Sequence, residues 1–305
     1  MKAWVGVTDS DWYRFLSVRP DLDEVNFWKP SAGQAFRALQ PGEPLLFKLR
    51  FPENAIVGGG YFVHYSEAPS RLAWEAFGEK NGAPSYESLR ERLLRLRHGD
   101  PSIKDDWVIG CILLQAPFFF DRSLWIPAPS DFKKPTQKGK TYDLTAGVGR
   151  ELWDAVQERL RMTGVPYFAE PGSIYGDPVL VKQRLGQGTF RMLITDVYQR
   201  RCALTGEKVL PVLQAAHIRP VSEGGGHRVD NGLLLRSDVH TLFDRGYVSV
   251  APDRRVLVSS RLKKDFDNGE HYYQYQGREI WTPPAMTDRP SKLFLEWHRD
   301  ERFLG

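Results

Sequence analysis

The stretch from Cys202 to Val250, CALTGEKVLPVLQAAHIRPVSEGGGHRVDNGLLLRSDVHTLFDRGYVSV, restricts this chain's fold more than any other. The apolar run VLQAAHI reads as a strand ending on His217. Three consecutive glycines, Gly224, Gly225 and Gly226, then call for a tight loop. Asn-Gly-Leu-Leu-Leu reads as a second strand beginning beside Asn231, and SDVHTLFD as a short helix carrying His240. His217 and Asn231 are fourteen residues apart, and Asn231 and His240 nine. A lone histidine is more often structural than functional. Two histidines and an asparagine held on strand, loop and helix are harder to explain that way.

This order and spacing resemble the HNH (ββα-metal) nuclease family. The lead-in RLGQGTFR and CALTG, and the tail ending in SKLFLEWHRDERF, are also similar to restriction-type HNH proteins. The resemblance implies a metal-dependent phosphodiester hydrolase with His217, Asn231 and His240 as catalytic residues. His217 would be the general base, because a neutral imidazole is available near neutral pH. Asn231 would hold the hairpin loop and orient His217 through a hydrogen bond that fixes its tautomer. His240 would bind the metal. Asp244 lies four residues on, one helical turn, so both side chains can face one ion. It is the second expected ligand, the alternative being a helix-end cap or a partner for Arg245 or Arg219. Magnesium or manganese suits an oxygen-rich shell. His227 in the loop reads as exposed, with phosphate binding as the alternative, and His298 reads as structural.

Two departures from the family matter. Many members carry a metal-binding Asp or His just before the general base, where this chain has Ala216. Others pair two Cys-x-x-Cys motifs around zinc, but only Cys202 is present here, so no structural zinc is expected.

The remaining chain length, 305 residues in all, is enough for a second core. Two cysteines exclude a disulfide framework. No apolar run approaches the ~20 residues of a membrane span, so a cytoplasmic protein with no membrane partner is expected. A net charge of +4 is compatible with a polyanion.

In the N-terminal half, Val5 to Val7 reads as a strand and DSDWYRFLSVR as a helix capped by Asp9 or Asp11. AGQAFRAL, after Lys29-Pro30-Ser31, reads as a helix ending at Pro41-Gly42, and PLLFKLR as a strand. Gly58–Gly60 suggests a bulge or close backbone approach within AIVGGGYFVHYSE. SYESLRERLLRLRHG reads as a helix capped by Ser85, and DWVIGCILLQAPFFF as a strand buried on both faces. GRELWDAVQERLRM reads as an amphipathic helix, and VPYFAEPGSIYGDP as an irregular linker.

The order strand, W-x-x-S, helix, P-G-E, strand, I-V-G-G-G-Y-F-V resembles the PUA-like superfamily and its EVE, ASCH and YTH-type readers. The expected fold is α+β: a PUA-like small β-barrel with helices over 1–145, a helical linker over 146–180 and a ββα-metal HNH domain over 181–305. The resemblance implies a pocket for a flipped, modified base, with Trp28, Ser31, Asn26, Tyr61 and Trp74 as its candidate lining. Arg219, Arg228, Arg236 and Arg245 are the candidate DNA-backbone contacts.

Together these imply modification-dependent cleavage of double-stranded DNA carrying a modified cytosine, a homodimer for double-strand cutting, and defence against foreign DNA. The alternatives are an HNH nuclease indifferent to modification, and a non-catalytic nucleic-acid-binding protein whose metal site has decayed.

Overall fold

The computed structural model describes residues 1–19, 21–97, 106–133, 138–163 and 185–305. They form two units, Met1–Gln183 and Arg184–Gly305. The linker segment 165–178 read from the sequence lies outside the described residues.

The first unit runs β1 (Lys2–Thr8), α1 (Ser10–Ser17), β2 (Glu24–Lys29), β3 (Pro44–Leu49), β4 (Ala55–Pro69), α2 (Ser70–Phe77), α3 (Tyr86–Leu96), β5 (Val108–Phe119), β6 (Ile126–Pro127), β7 (Gly139–Asp143) and α4 (Gly147–Met162). Its seven strands make one mixed sheet in the order β2-β5-β4-β3-β1-β7, with β6 paired to β4. Only β1 and β3 run parallel. β5 is flanked on both sides and its run from Ile109 to Leu114 is buried, as its near-continuous apolar sequence requires. Burying each such large side chain contributes about 1.5–3 kcal/mol.

The local signals are met. The Asp9 carboxylate caps α1 by accepting from Asp11 and Trp12 N–H, and Ser85 caps α3 by accepting from Ser88 N–H. The glycine run of β4 sits where the register shifts against β3 and β5. Gly58 has φ +155°, and a Cβ there would strike the Phe118 carbonyl oxygen. The apolar face of α4, with Leu152, Trp153, Val156 and Leu160, joins Ala3, Val5 and Leu46 in the core of this unit.

AGQAFRAL is not helical. Tertiary hydrogen bonds take its backbone instead. Lys29 Nζ and Tyr65 Oη donate to the Gln34 carbonyl, and Gly33 N–H donates to Glu67 Oε1. With Gly33 at φ +93°, the segment is irregular and forms part of a cavity wall.

The second unit runs α5 (Gln187–Val197), β8 (Leu213–His217), β9 (Gly232–Arg236), α6 (Ser237–Asp244), β10 (Val248–Val250), β11 (Val256–Val258), α7 (Arg261–Phe266) and α8 (Lys292–Glu301). β8 and β9 form an antiparallel pair with His217 opposite Gly232, and α6 follows β9 directly. Phe190 and Ile194 of α5, Leu233 to Leu235 of β9, and Val239 and Phe243 of α6 share one core. The chain is therefore mixed α+β. Among the described residues, no helix is long and apolar enough to cross a membrane.

Candidate active site

The hairpin loop between β8 and β9 is held from inside by Asn231, which is fully buried. Its Nδ2 donates to the Arg219 carbonyl at 2.9 Å and the Gly226 carbonyl at 3.0 Å, and its Oδ1 accepts from Arg219 N–H at 2.9 Å. A Cβ at Gly225 would strike the Arg219 carbonyl oxygen and come within 2.7 Å of Asn231 Nδ2. The glycine run thus lets the backbone close over the amide. Asn231 holds the loop, but all three of these bonds go to backbone. The expected tautomer-fixing bond to His217 is absent because the amide is already committed.

That bond comes from the loop itself. His217 Nε2 lies 3.0 Å from His227 Nδ1, so one ring donates to the other. The Phe190 ring stacks on His217, with centroids 4.1 Å apart and planes 8° from parallel. Burial pushes the His217 pKa down to about 4, and the nearby His227 and His240 add to the effect. The His217 imidazole is therefore neutral at neutral pH and held in orientation by His227 and Phe190. His227, read from the sequence as an exposed loop residue, is its partner.

On α6, His240 Nδ1 lies 2.8 Å from Gln214 Oε1 of β8. The amide oxygen accepts, so Nδ1 carries the hydrogen and Nε2 a lone pair. That Nε2 faces Asp244 Oδ2 at 3.3 Å, one helical turn on. Burial holds the His240 pKa below its ordinary value, against the pull of Asp244. Burial also raises the Asp244 pKa. With both groups unprotonated, two acceptor atoms face each other, an arrangement that a cation relieves. Neighbouring ligands about 2.1 Å from an octahedral ion stand about 3.0 Å apart, close to the observed gap. The pair fits two adjacent positions of a divalent ion. Gln214 fixes the histidine as outer partners of metal ligands do. Among the described residues, no group of three or more His, Cys, Asp or Glu could hold a metal. Ala216 is fully buried in the core and offers no ligand atom.

Cys202 Sγ accepts from Arg236 N–H at 3.2 Å and Thr205 N–H at 3.5 Å. His298, 2% exposed, donates from Nε2 to the Phe243 carbonyl and lies against Ser249 Oγ at 2.8 Å. It pins the end of α6 to α8.

The four arginines differ in availability. Arg228 is held by Asp230 through two short bonds, and Arg236 is held likewise by Asp238. Each has an acid two residues on, which makes both poor phosphate contacts. The Arg219 guanidinium lies 5.3 Å over the Trp297 ring. Arg245 is exposed, with no ion pair among the described residues.

The first unit contains a cavity of about 1170 Å³ lined by Trp28 and Ser31. Asn26, Tyr61 and Trp74 do not line it. Asn26 is fully buried and donates to Asn81 Oδ1, and Tyr61 packs on Phe118. The Trp28 indole N–H donates to the Asn81 carbonyl at 2.8 Å, fixing its ring at the cavity wall. Sequence position alone missed the irregular segment from Ala32 to Ala38, which lines much of the cavity.

No curated protein matches the chain. Among solved structures it is similar to ASCH from Zymomonas mobilis, at 9% identity over 50% of this chain and 94% of that one, with a TM-score of 0.31. It is also similar to the modification-dependent TagI restriction endonuclease, at 13% identity over 99% of this chain and 81% of that one, with a TM-score of 0.31. A third likeness is to the Type IV phosphorothioation-dependent restriction endonuclease ScoMcrA, at 11% identity over 79% of this chain and 52% of that one, with a TM-score of 0.18. The HNH endonuclease family matches residues 202–251, the segment that holds His217, Asn231, His240 and Asp244, and the chain therefore carries an HNH endonuclease domain.

Proposed function

We propose that the chain is a metal-dependent DNA endonuclease whose N-terminal unit restricts cutting to DNA with a modified base, a modified cytosine in the first instance. The observation that carries the nuclease reading is the pair of facing acceptors, His240 Nε2 and Asp244 Oδ2 at 3.3 Å, on the helix that follows the His217 hairpin. A divalent ion there, magnesium or manganese, would supply charge for the transition state and for the leaving oxygen. Water and phosphate complete its shell.

The chain's own residues do the rest. With Nε2–H directed at His227, His217 keeps the Nδ1 lone pair for the proton of the attacking water. Phe190 holds the ring plane and Asn231 holds the loop. Arg245, exposed at the end of α6, is the arginine best placed for the DNA backbone. Trp28 and Ser31 line the cavity that accepts the extruded base, and the fixed indole supplies a stacking face worth about 1–3 kcal/mol. One centre cuts one strand, so a double-strand break takes a homodimer or two encounters. Destruction of foreign DNA is the biological role that follows.

The test is cleavage of matched DNAs with unmodified, methylated, hydroxymethylated or glucosylated cytosine, in magnesium, manganese or chelator. Metal-dependent cutting restricted to one modification supports the whole reading. Equal cutting of every substrate keeps the nuclease and removes the modified-base requirement. A second reading, a nucleic-acid-binding protein without catalysis, rests on the two-residue shell and on the burial of Ala216. A folded protein that binds DNA but cuts with no metal would establish it.

A further inference from the structure

β3 is an apolar strand with one exception. Leu45, Leu46, Phe47 and Leu49 are at most 3% exposed, and Lys48 between them is 4% exposed. A buried lysine normally has a carboxylate partner. Among the described residues Lys48 has none. Its Nζ donates to the Leu49 carbonyl at 3.0 Å and lies 4.9 Å from the Phe132 ring centroid. An ammonium group has three donors, and among the described residues only one of them is used. Lys48 and Phe132 both line the cavity that holds Trp28. The register shift between Phe47 and Lys48 lies at this point of the strand. Burial holds the Lys48 pKa below its ordinary value, as expected for a cation lacking a counter-charge.

The other cations lining the cavity are different. Lys29 is half-buried and donates to the Gln34 carbonyl, and Arg37, Arg50, Arg95, Lys133 and Lys138 are exposed. The exposed ones suit a hydrated phosphate backbone. Lys48 is nearly fully buried beside the Phe132 ring, where a planar base fits better than a phosphate. A methyl group against this ammonium would leave its donors unfilled, whereas an oxygen-bearing substituent would fill them.

Building on the base-reading proposal above, we infer that Lys48 is the specificity-determining residue of the cavity. Its ammonium donates to an oxygen acceptor on the extruded base, so hydroxymethyl and carboxyl substituents are selected over methyl or hydrogen.

The experiment is equilibrium binding of the full chain, in chelator to prevent cutting, to duplexes with one unmodified, 5-methyl-, 5-hydroxymethyl- or 5-carboxylcytosine. The parent should bind the two oxygen-bearing duplexes about tenfold or more tighter than the methylated one. Lys48→Met, with a side chain of similar length, should reduce that preference to under about threefold, and Lys48→Arg should retain part of it. A thermal melt matching the parent's establishes that each variant is folded. If the methionine variant loses selectivity through unfolding, the arginine variant and the parent's own ranking decide the matter. If the parent prefers a modified duplex and Lys48→Met keeps the same ranking, the Lys48 role is overturned while the base reader stands. The same holds if the parent ranks methyl first. A uniform loss on all four duplexes with a shallower salt dependence makes Lys48 a phosphate contact and also overturns the inference. Equal binding of all four by the parent removes the base reader itself.

Discussion

His217 and His227 meet across the hairpin loop with 3.0 Å between Nε2 and Nδ1. The proposed general base is therefore oriented by a second histidine on the loop that Asn231 closes. With His217 as the donor, taking a proton at Nδ1 would strengthen its Nε2–H bond to His227, and His227 would stabilise the imidazolium that forms. Replacing His227 by Ala should lower kcat about 10- to 100-fold, comparable to the loss of an orienting partner elsewhere, with DNA affinity unchanged. Asn at 227 offers an acceptor and should recover part of the rate. If His227 instead contacts phosphate, the Ala variant will bind DNA more weakly and Asn will not restore it.

Gln214 makes a separate prediction about the ion. Its Oε1 takes the Nδ1 hydrogen of His240 and so leaves Nε2 free toward Asp244. Gln214→Leu should weaken manganese affinity about 10- to 100-fold while leaving metal-free DNA binding intact. Titration calorimetry with the metal alone reads this directly. An unchanged manganese affinity would mean that the amide has no part in preparing the ligand.

Asn231→Ala tests the loop. The substitution leaves the Arg219 N–H and the Arg219 and Gly226 carbonyls without their partner. Orphaned groups cost about 1–3 kcal/mol each when water cannot reach them, so a loss on the order of 3 kcal/mol is expected. That corresponds to a Tm lower by roughly 10 °C for a unit of this size. Cleavage lost with no change in Tm would instead give Asn231 a direct chemical role.

The sequence carried the covalent order of the site but not its cross-contacts. His217, Asn231, His240 and Asp244 were visible because strand, loop and helix periods fix where each falls along the chain. The partners were not visible. Gln214 reaches His240 across twenty-six residues, and His227 reaches His217 only once the loop closes. Neither pairing has a one-dimensional period. The same limit explains AGQAFRAL, whose helical propensity gives way to hydrogen bonds donated by Lys29 and Tyr65 and accepted by Glu67. It also explains the base pocket. Asn26 lies two residues from Trp28 on the same strand, yet it is fully buried against Asn81 and does not line the cavity.

The acid sensitivity of the fold should be governed in part by His298. Its Nε2–H is committed to the Phe243 carbonyl, so its Nδ1 accepts from the Ser249 hydroxyl and the ring is neutral. Burial pushes its pKa down to about 4. Above the ordinary value of about 6.5 both folded and unfolded chains leave it unprotonated, and it adds no pH dependence. As pH falls from 6.5 toward 4, the unfolded chain takes up a proton that the folded chain refuses, and stability is lost across that window. Between about pH 7.5 and about pH 5 the loss from this one ring is on the order of 2 kcal/mol. His217, also pushed down to about 4, adds loss of the same sign. His298→Gln should be less stable than the parent near pH 7.5, because the paired bonds and the Phe243 stack are disturbed. It should also lose less stability on acidification. Urea unfolding at the two pH values measures both. If parent and variant lose the same stability on acidification, His298 is already protonated in the fold and the neutral assignment is wrong.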